Sequence, residues 1–299
     1  MAKPGSAPTM SSERDRAAAP IGARKCEILA NSDSGSYRLI TALDRSGPLP
    51  EPGQFYMLAT ADGWGGELGR PYLPRAFSFA QATPANEGVQ LGLLAEDVGP
   101  GTATLCRLSP GDGLRVTGPL GSSFSDPNQL TEAARGAILV GGGIGVAPLA
   151  ALRARLREGG TPVTTLLGYR GRHRHGGLEL FSSSGGLCTG VKLAFEDGSL
   201  GHHGYVTDLL AVMLEGDDAG SAAVFACGPP AMLEAIRVMC AERQVAAELA
   251  LEAPMACGFG ACMGCAVSRP DGGYMRLCID GPVVNASEID SALIPGVGH

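Results

Sequence analysis

The sequence predicts a multi-domain protein: an antiparallel β-barrel, an α/β domain on a parallel sheet, and a small C-terminal domain organised by cysteines. Three observations predict it. Short β-rich runs broken by Gly and Pro fill the stretch from Cys26 to about Phe124. From Gly136 the text changes to strands alternating with helical stretches, and near the C-terminus Cys257, Cys262, Cys265 and Cys278 stand at the spacing C-x4-C-x2-C-x12-C. The expected boundaries are a disordered tail over 1–20, the barrel over 21–130, the α/β domain over 131–248 and the cysteine domain over 249–299.

The tail is Ala, Ser, Pro and charged residues without periodicity, which cannot bury enough apolar surface to order itself. Glu13 and Asp15 count against a transit peptide there. The barrel rests on the runs 37–41, 54–58, 76–79, 89–94 and 113–116, each short and each followed by turn residues. Gly118-Pro-Leu-Gly121 reads as the turn that ends the domain. Asp62 to Pro74, with Trp64 and several glycines, is long enough for a lid or an insertion.

Two places in the barrel carry chemistry. Arg75-Ala76-Phe77-Ser78 puts a cation, an aromatic face and a hydroxyl within four residues, alternating sides if extended. Such an arginine suits a diphosphate, while Phe77 and Ser78 suit a flavin ring. Gly101 and Thr102 lie in Val98-Gly-Pro-Gly-Thr, where glycines before a helix start form an anion-binding turn. Any barrel has glycine turns and exposed arginines, so each place alone is also an ordinary structural feature.

In the α/β domain Ala137-Ile-Leu-Val140 runs into Gly141-Gly142-Gly143-Ile-Gly145, and Pro148 then opens a helix through Arg157. Strand, glycine turn and helix follow in the order nucleotide binding requires, although Pro148 at the first helical position departs from the strict G-x-G-x-x-G fingerprint. Strands over 163–167, 191–195 and 222–226 and helices over 208–214 and 230–243 complete a parallel α/β unit, with ligands expected at the C-terminal strand ends. Ala226-Cys227-Gly228-Pro-Pro230 is such an end; it is either an ordinary loop or a place where a cofactor ring meets the backbone, with Cys227 as the candidate catalytic thiol. Arg170, Arg172, His173 and Arg174 form a basic run where an adenine ribose would lie, which leaves NAD and NADP open with a preference for NAD.

The four-cysteine spacing is that of plant-type ferredoxins, which hold a two-iron, two-sulfur cluster. A zinc site is the competing reading. Zinc knuckles usually pair two C-x2-C units, and here only Cys262 and Cys265 form one.

Composition narrows the rest. Hydrophobic residues make up 44% of 299 and the net charge is −7, so a disordered chain and a nucleic-acid binder are both disfavoured. Nine cysteines without a charged-then-apolar leader argue against a secreted disulfide scaffold. No apolar run is long enough to span a bilayer. A cytoplasmic protein without a membrane or nucleic-acid partner is expected.

Together the barrel motif, the glycine turn, the Cys227 loop and the cysteine spacing resemble the ferredoxin–NADP reductase superfamily. Within it, Met255-Ala-Cys-Gly-Phe-Gly-Ala-Cys-Met-Gly-Cys265 with Cys278-Ile-Asp-Gly-Pro282, and the stretch Glu196 to Asp208, resemble the electron-transfer subunits of NAD-linked (type B) dihydroorotate dehydrogenases. The resemblance covers about Ile21 to Asp290. It implies FAD at Arg75, Ala76, Phe77 and Ser78 with its diphosphate at Gly101 and Thr102, and NAD at Gly141, Gly142, Gly143, Gly145, Cys227 and Gly228. It also implies a 2Fe-2S cluster on Cys257, Cys262, Cys265 and Cys278, and work beside an FMN-containing dihydroorotate dehydrogenase catalytic subunit in a heterotetramer of pyrimidine biosynthesis. Ala76 stands where proline is usual, His203 where lysine is common, and the Trp64 loop is longer than the family's.

Chemistry supports such an assembly: nicotinamides exchange hydride and clusters single electrons, so a flavin must stand between them. Two other functions compete. One is a subunit of an electron-bifurcating transhydrogenase or sulfide dehydrogenase, disfavoured by the cysteine at 257. The other is a catalytically silent redox sensor or metal-stabilised binding module, which would not need Arg75 to Ser78 and Gly141 to Gly145.

Overall fold

The computed structural model describes residues 22–65, 71–183, 186–216 and 221–294. The expected tail and part of the Trp64 loop lie outside these residues.

Six strands close a barrel: β1 (Arg24–Ser34), β2 (Tyr37–Asp44), β3 (Phe55–Thr60), β4 (Arg75–Ala85), β5 (Gly88–Ala95) and β6 (Gly113–Leu120), in the order β1-β2-β5-β4-β3-β6. Alternation drives it. Along β1, Cys26 and Ile28 point inward among Ile40, Tyr56, Leu58, Leu91 and Val116, while Lys25 and Glu27 face out. Gly118-Pro119, expected to be a domain-end turn, instead lies within β6. Its irregularity is absorbed by a register shift against β3 between Phe55 and Met57. A short helix, α1 (Pro100–Cys106), follows β5.

One polar cluster is built into the barrel. Asp44, 1% exposed, accepts from Arg24 Nη2 at 2.6 Å and Nε at 3.1 Å, and Arg24 Nη2 also donates to Gly118 O. Burial pushes the Asp44 carboxyl up, but the Arg24 bonds and the Ser46 and Gly47 amides outweigh it and hold the pKa below its ordinary value. The stabilisation is therefore present above the unfolded carboxylate pKa of about 4 and fades as pH falls through the lower folded value. Asp44→Ala leaves a buried guanidinium unpaired and should cost about 3 kcal/mol in urea unfolding at pH 7. The deficit should shrink on acidification, and an unchanged midpoint would show the pair to be idle.

After α2 (Pro127–Leu130) the sheet begins. Its strands are β7 (Gly136–Gly142), β8 (Val163–Tyr169), β11 (Val191–Phe195), β12 (His202–His203), β13 (Ala222–Cys227), β14 (Ala247–Ala250) and β17 (Val283–Asn285), ordered β12-β11-β8-β7-β13-β14-β17. Two further two-stranded sheets pair β9 (Ser182–Ser183) with β10 (Gly186–Leu187), and β15 (Ala266–Ser268) with β16 (Tyr274–Arg276). All neighbours in the large sheet are parallel except β14 and β17.

The strands read as nearly continuous apolar runs because both faces are covered. Leu139 and Phe225 pack toward α3 (Val146–Glu158), and Val140 and Val224 toward α4 (Val206–Leu214) and α5 (Pro230–Glu242). Pro148 is the third residue of α3 and not its first, because a short 3-10 turn over Gly143–Gly145 precedes the helix. The position tolerates proline, since its amide would have no intrahelical partner.

The sheet crosses residue 248, and β17, from the cysteine-bearing segment, is its last strand. Cys265, Val267, Met275 and Cys278 share a core with Leu233, Ile236 and Ala247. The barrel is tied to the sheet by the β1–β2 hairpin: Gly177 N donates to Ser34 Oγ at 2.8 Å and Ser36 N to His175 O at 2.7 Å.

Candidate functional site

A cleft of about 200 Å³ runs along the junction of barrel and sheet. Arg75, Ala76, Phe77 and Ser78 line one side, contributed by the start of β4. The opposite wall is Gly145 with Pro148 at the start of α3, and Cys227 at the end of β13. These are C-terminal strand ends, where helix crossovers leave a crevice.

Close backbone approach makes that wall. Gly141 lies beside Cys227 in the β7–β13 register. A Cβ on Gly145 would stand 2.5 Å from Cys227 O and 2.6 Å from Gly228 N, so only glycine lets the turn and the loop meet. Gly142 is packed as closely on Met232 and Pro229, while Gly143 has only the Tyr37 hydroxyl near, at 3.7 Å from where a Cβ would be. The expected nucleotide residues are thus brought together.

Cys227 is 5% exposed, and burial pushes its thiol far above the ordinary value. Burial therefore favours its uncharged thiol form, in which it shapes the cleft wall. Thr102 also lines the cleft, but its hydroxyl accepts from Val98 N and Gly99 N at 2.9 and 3.1 Å and so closes the turn. Arg75 Nη1 donates to Leu73 O at 2.7 Å, and the guanidinium lies against Gly101.

Glu252 and Glu96 also line the cleft, and sequence reasoning missed both. Glu252 is exposed to solvent at the cleft, and desolvation by the surrounding protein raises its carboxyl above the ordinary value. No local signal announces it, since Leu251-Glu-Ala-Pro254 reads as a plain loop. Glu96 pairs with Arg174 at 3.4 Å, and Arg172 Nη2 reaches Ser199 O at 3.5 Å, so part of the basic run is engaged with the protein itself.

The four cysteines lie on the loop between β14 and β15 and just after β16. Among the described residues no three metal-ligating side chains converge as tightly as one ion needs. The sulfurs come instead as two pairs. Cys265 Sγ and Cys278 Sγ are 3.2 Å apart, the Cys257 and Cys262 side chains hydrogen-bond each other, and Cys262 N points at Cys257 Sγ at 3.4 Å. Gly260 N points at Cys278 Sγ at 3.1 Å and Cys278 N at Cys265 Sγ at 3.4 Å.

Burial raises the Cys257 thiol, but the backbone amides of Cys262, Phe259 and Ala261 outweigh it and bring the value down to about 6. Two pairs of sulfurs cradled by amides suit a binuclear group that carries negative charge. The cysteines therefore fit an iron–sulfur cluster.

This loop leans on the barrel. Gly258, at φ +78°, carries no Cβ where one would stand 2.6 Å from Met57 Cγ and 3.2 Å from Leu120 Cδ1. Outside, Phe259 and Met263 are 50% and 52% exposed, and Cys262 is exposed between them. Met255, which the sequence groups with them, packs against the core instead.

Residues 252–290 match the family described as the iron–sulfur cluster binding domain of dihydroorotate dehydrogenase B, and residues 139–238 the oxidoreductase NAD-binding domain. A dihydroorotate dehydrogenase B (NAD(+)) electron transfer subunit from Caldanaerobacter subterraneus subsp. tengcongensis is 33% identical over 268 residues, which cover 89% of this chain and 97% of that protein. One from Bacillus caldolyticus is 36% identical, covering 80% and 86%. Among solved structures, an NADH-dependent reduced ferredoxin-NADP oxidoreductase studied for flavin-based electron bifurcation superposes with a TM-score of 0.72 at 26% identity, over 89% of this chain and 90% of that one.

Proposed function

The chain belongs to the family of NAD-linked dihydroorotate dehydrogenase B electron-transfer subunits, and from that premise we propose how its residues divide the work. It is an oxidoreductase subunit whose cofactors are FAD, a 2Fe-2S cluster and NAD. When bound, the nicotinamide supplies hydride chemistry, the cluster single-electron chemistry and the flavin the exchange between them.

Arg75 pairs with the FAD diphosphate above Gly101, and Thr102 holds that turn in shape. Phe77 packs against the flavin ring, Ser78 donates a hydrogen bond to it, and Ala76 keeps the strand close. Gly141, Gly142, Gly143 and Gly145 admit the NAD diphosphate to the β7–α3 turn, while Cys227 and Gly228 bring the nicotinamide against the backbone. Glu252 stands at the same cleft, its carboxyl pKa raised by desolvation. Cys257, Cys262, Cys265 and Cys278 ligate the cluster.

One observation carries the reading: the strand beside the flavin motif touches the cysteine loop. Met57 on β3 stands opposite Ala76 on β4, and Gly258 packs on Met57. A single strand separates the proposed flavin and cluster sites, which suits electron transfer between them.

The organic substrate is oxidised on a partner. Exposed Phe259 and Met263 beside Cys262 form a face suited to an FMN-bearing, dihydroorotate-oxidising subunit in a hetero-oligomer. Among the described residues no helix is long and apolar enough to cross a membrane, and with no disulfide among the nine cysteines we place the protein in the cytoplasm.

Reconstitution tests the reading. Alone, the chain should reduce artificial acceptors with NADH and leave dihydroorotate untouched; with the FMN subunit it should couple dihydroorotate oxidation to NAD reduction. Oxidation of dihydroorotate by the isolated chain would overturn the division of labour. Arg75→Ala should weaken FAD retention by about 1.5–3 kcal/mol through loss of a charge-assisted phosphate pair, with iron content unchanged. Equal flavin content in mutant and parent after gel filtration would remove Arg75 from the site.

A further inference from the structure

The turn between β7 and α3 is built open. Gly143 adopts φ +54°, and Ile144 and Gly145 after it line the cleft. Among the described residues, leaving out its own chain neighbours, a single atom comes within 4 Å of where a Gly143 Cβ would stand: the hydroxyl of Tyr37, at 3.7 Å. Tyr37 opens β2, so this hydroxyl reaches the nucleotide turn from the barrel. The residue is 3% exposed, and among the described residues its hydroxyl has no hydrogen-bond partner. Buried polar groups are normally paired, and one that is not calls for an explanation.

The ring is fixed in that position. It packs against Gly176, where a Cβ would stand 2.4 Å from Tyr37 Cδ2, and within a core of Leu94, Val146, Tyr169 and Phe181. Just before it the hairpin is bonded to the α/β domain, Gly177 N donating to Ser34 Oγ at 2.8 Å and Ser36 N to His175 O at 2.7 Å. The two charges that act on the phenol, Glu96 and Arg174, pair with each other at 3.4 Å, so the carboxylate is compensated. Burial pushes the phenol pKa well above its ordinary value, so the hydroxyl keeps its proton and is available to donate.

We propose that the Tyr37 hydroxyl donates a hydrogen bond to the diphosphate of the nicotinamide nucleotide on the β7–α3 turn. The inference rests on the NAD reading above and adds a barrel residue to it. A glycine turn ahead of a helix offers an anion backbone amides, and a protonated phenol beside it adds a neutral donor. Because Tyr37 comes from β2 and the turn from the α/β domain, a nucleotide held by both bridges the two domains. A hydrogen bond to a charged group is stronger than one between neutral groups, so loss of this one hydroxyl is measurable.

The test is calorimetric titration of the oxidised, full-length protein carrying its flavin and cluster, with NAD and separately with ADP-ribose, which keeps the diphosphate and lacks the nicotinamide. Tyr37→Phe keeps the ring and removes only the hydroxyl. It should lose roughly tenfold in affinity for both ligands, near the lower end of what a hydrogen bond to a charged group is worth. Its flavin content, iron content and urea midpoint should equal the parent's. Unchanged affinity for NAD would overturn the proposal, as would a loss for NAD that ADP-ribose does not share, which would put the hydroxyl at the nicotinamide half. A variant that sheds flavin or unfolds at lower urea would show that the hydroxyl serves the fold, and would overturn it too. A parent that binds neither ligand would overturn the NAD reading and this inference with it, a result the parent alone reveals.

Discussion

Replacing Cys262 by serine will strip the protein of its iron–sulfur cluster while leaving FAD bound and reducible by NADH. Cys262 is the exposed member of the four, and the backbone around it is turned toward the sulfurs and not into the core. Removing its thiolate takes away one of four ligands without opening a cavity. Iron and sulfide should fall to background, and dihydroorotate-linked NAD reduction in the reconstituted complex should stop, while NADH-to-dye activity persists.

Cys278→Ser is the contrast. Cys278 is 2% exposed and packed in the core shared with α5 and β14, so it should lose the cluster and also about 1–3 kcal/mol of stability by burying a poorly satisfied hydroxyl. Iron and sulfide assays, flavin content and a urea unfolding curve on each variant check both claims. Flavin lost together with iron from Cys262→Ser would mean that the loop's contact with Met57 makes the barrel and the cysteine segment one cooperative unit.

The second large effect is at the face around the cluster. Met263 adopts φ +60°, a left-handed conformation that aspartate tolerates better than most side chains. Met263→Asp is therefore easy on the fold, and Phe259→Asp changes a half-exposed ring on the same loop. If this face docks on the FMN-bearing subunit, a carboxylate placed there must be desolvated on binding, and central apolar anchors of interfaces are worth about 2 kcal/mol or more. Coupled activity at limiting partner should drop at least roughly tenfold for either variant. NADH-to-dye activity of the isolated chain, which needs only the cleft, should stay at the parent value. Full coupled activity in both variants would move the docking face elsewhere.

Much of this architecture is legible in the linear chain because the signals are local. Short β-rich runs such as 37–41 and 113–116 mark barrel strands, the apolar run into Gly141–Gly145 marks a strand followed by a turn and a helix, and four thiols at fixed spacing mark their ligand loop. Each of these depends on residues a few positions apart. The Pro148 and Gly118-Pro119 expectations missed because both prolines occupy positions where an absent amide costs nothing, and only the neighbouring turn and strand register show that.

What the tertiary structure alone decided is convergence. Glu252 enters the cleft because β14 delivers it to the same sheet edge as Cys227, which is 25 residues earlier and one strand away. Met255 turned inward while Phe259 and Met263 turned out, although all three are apolar and lie on one loop; the contacts that tell them apart come from distant segments. The approach of Gly258 to Met57 joins segments about 200 residues apart, and it exists because the barrel closes and β17 returns to the sheet edge. Side-chain periodicity records which way a strand or helix faces its own neighbours. Which segments become neighbours is settled by strand order and closure, and those are properties of the whole packed chain.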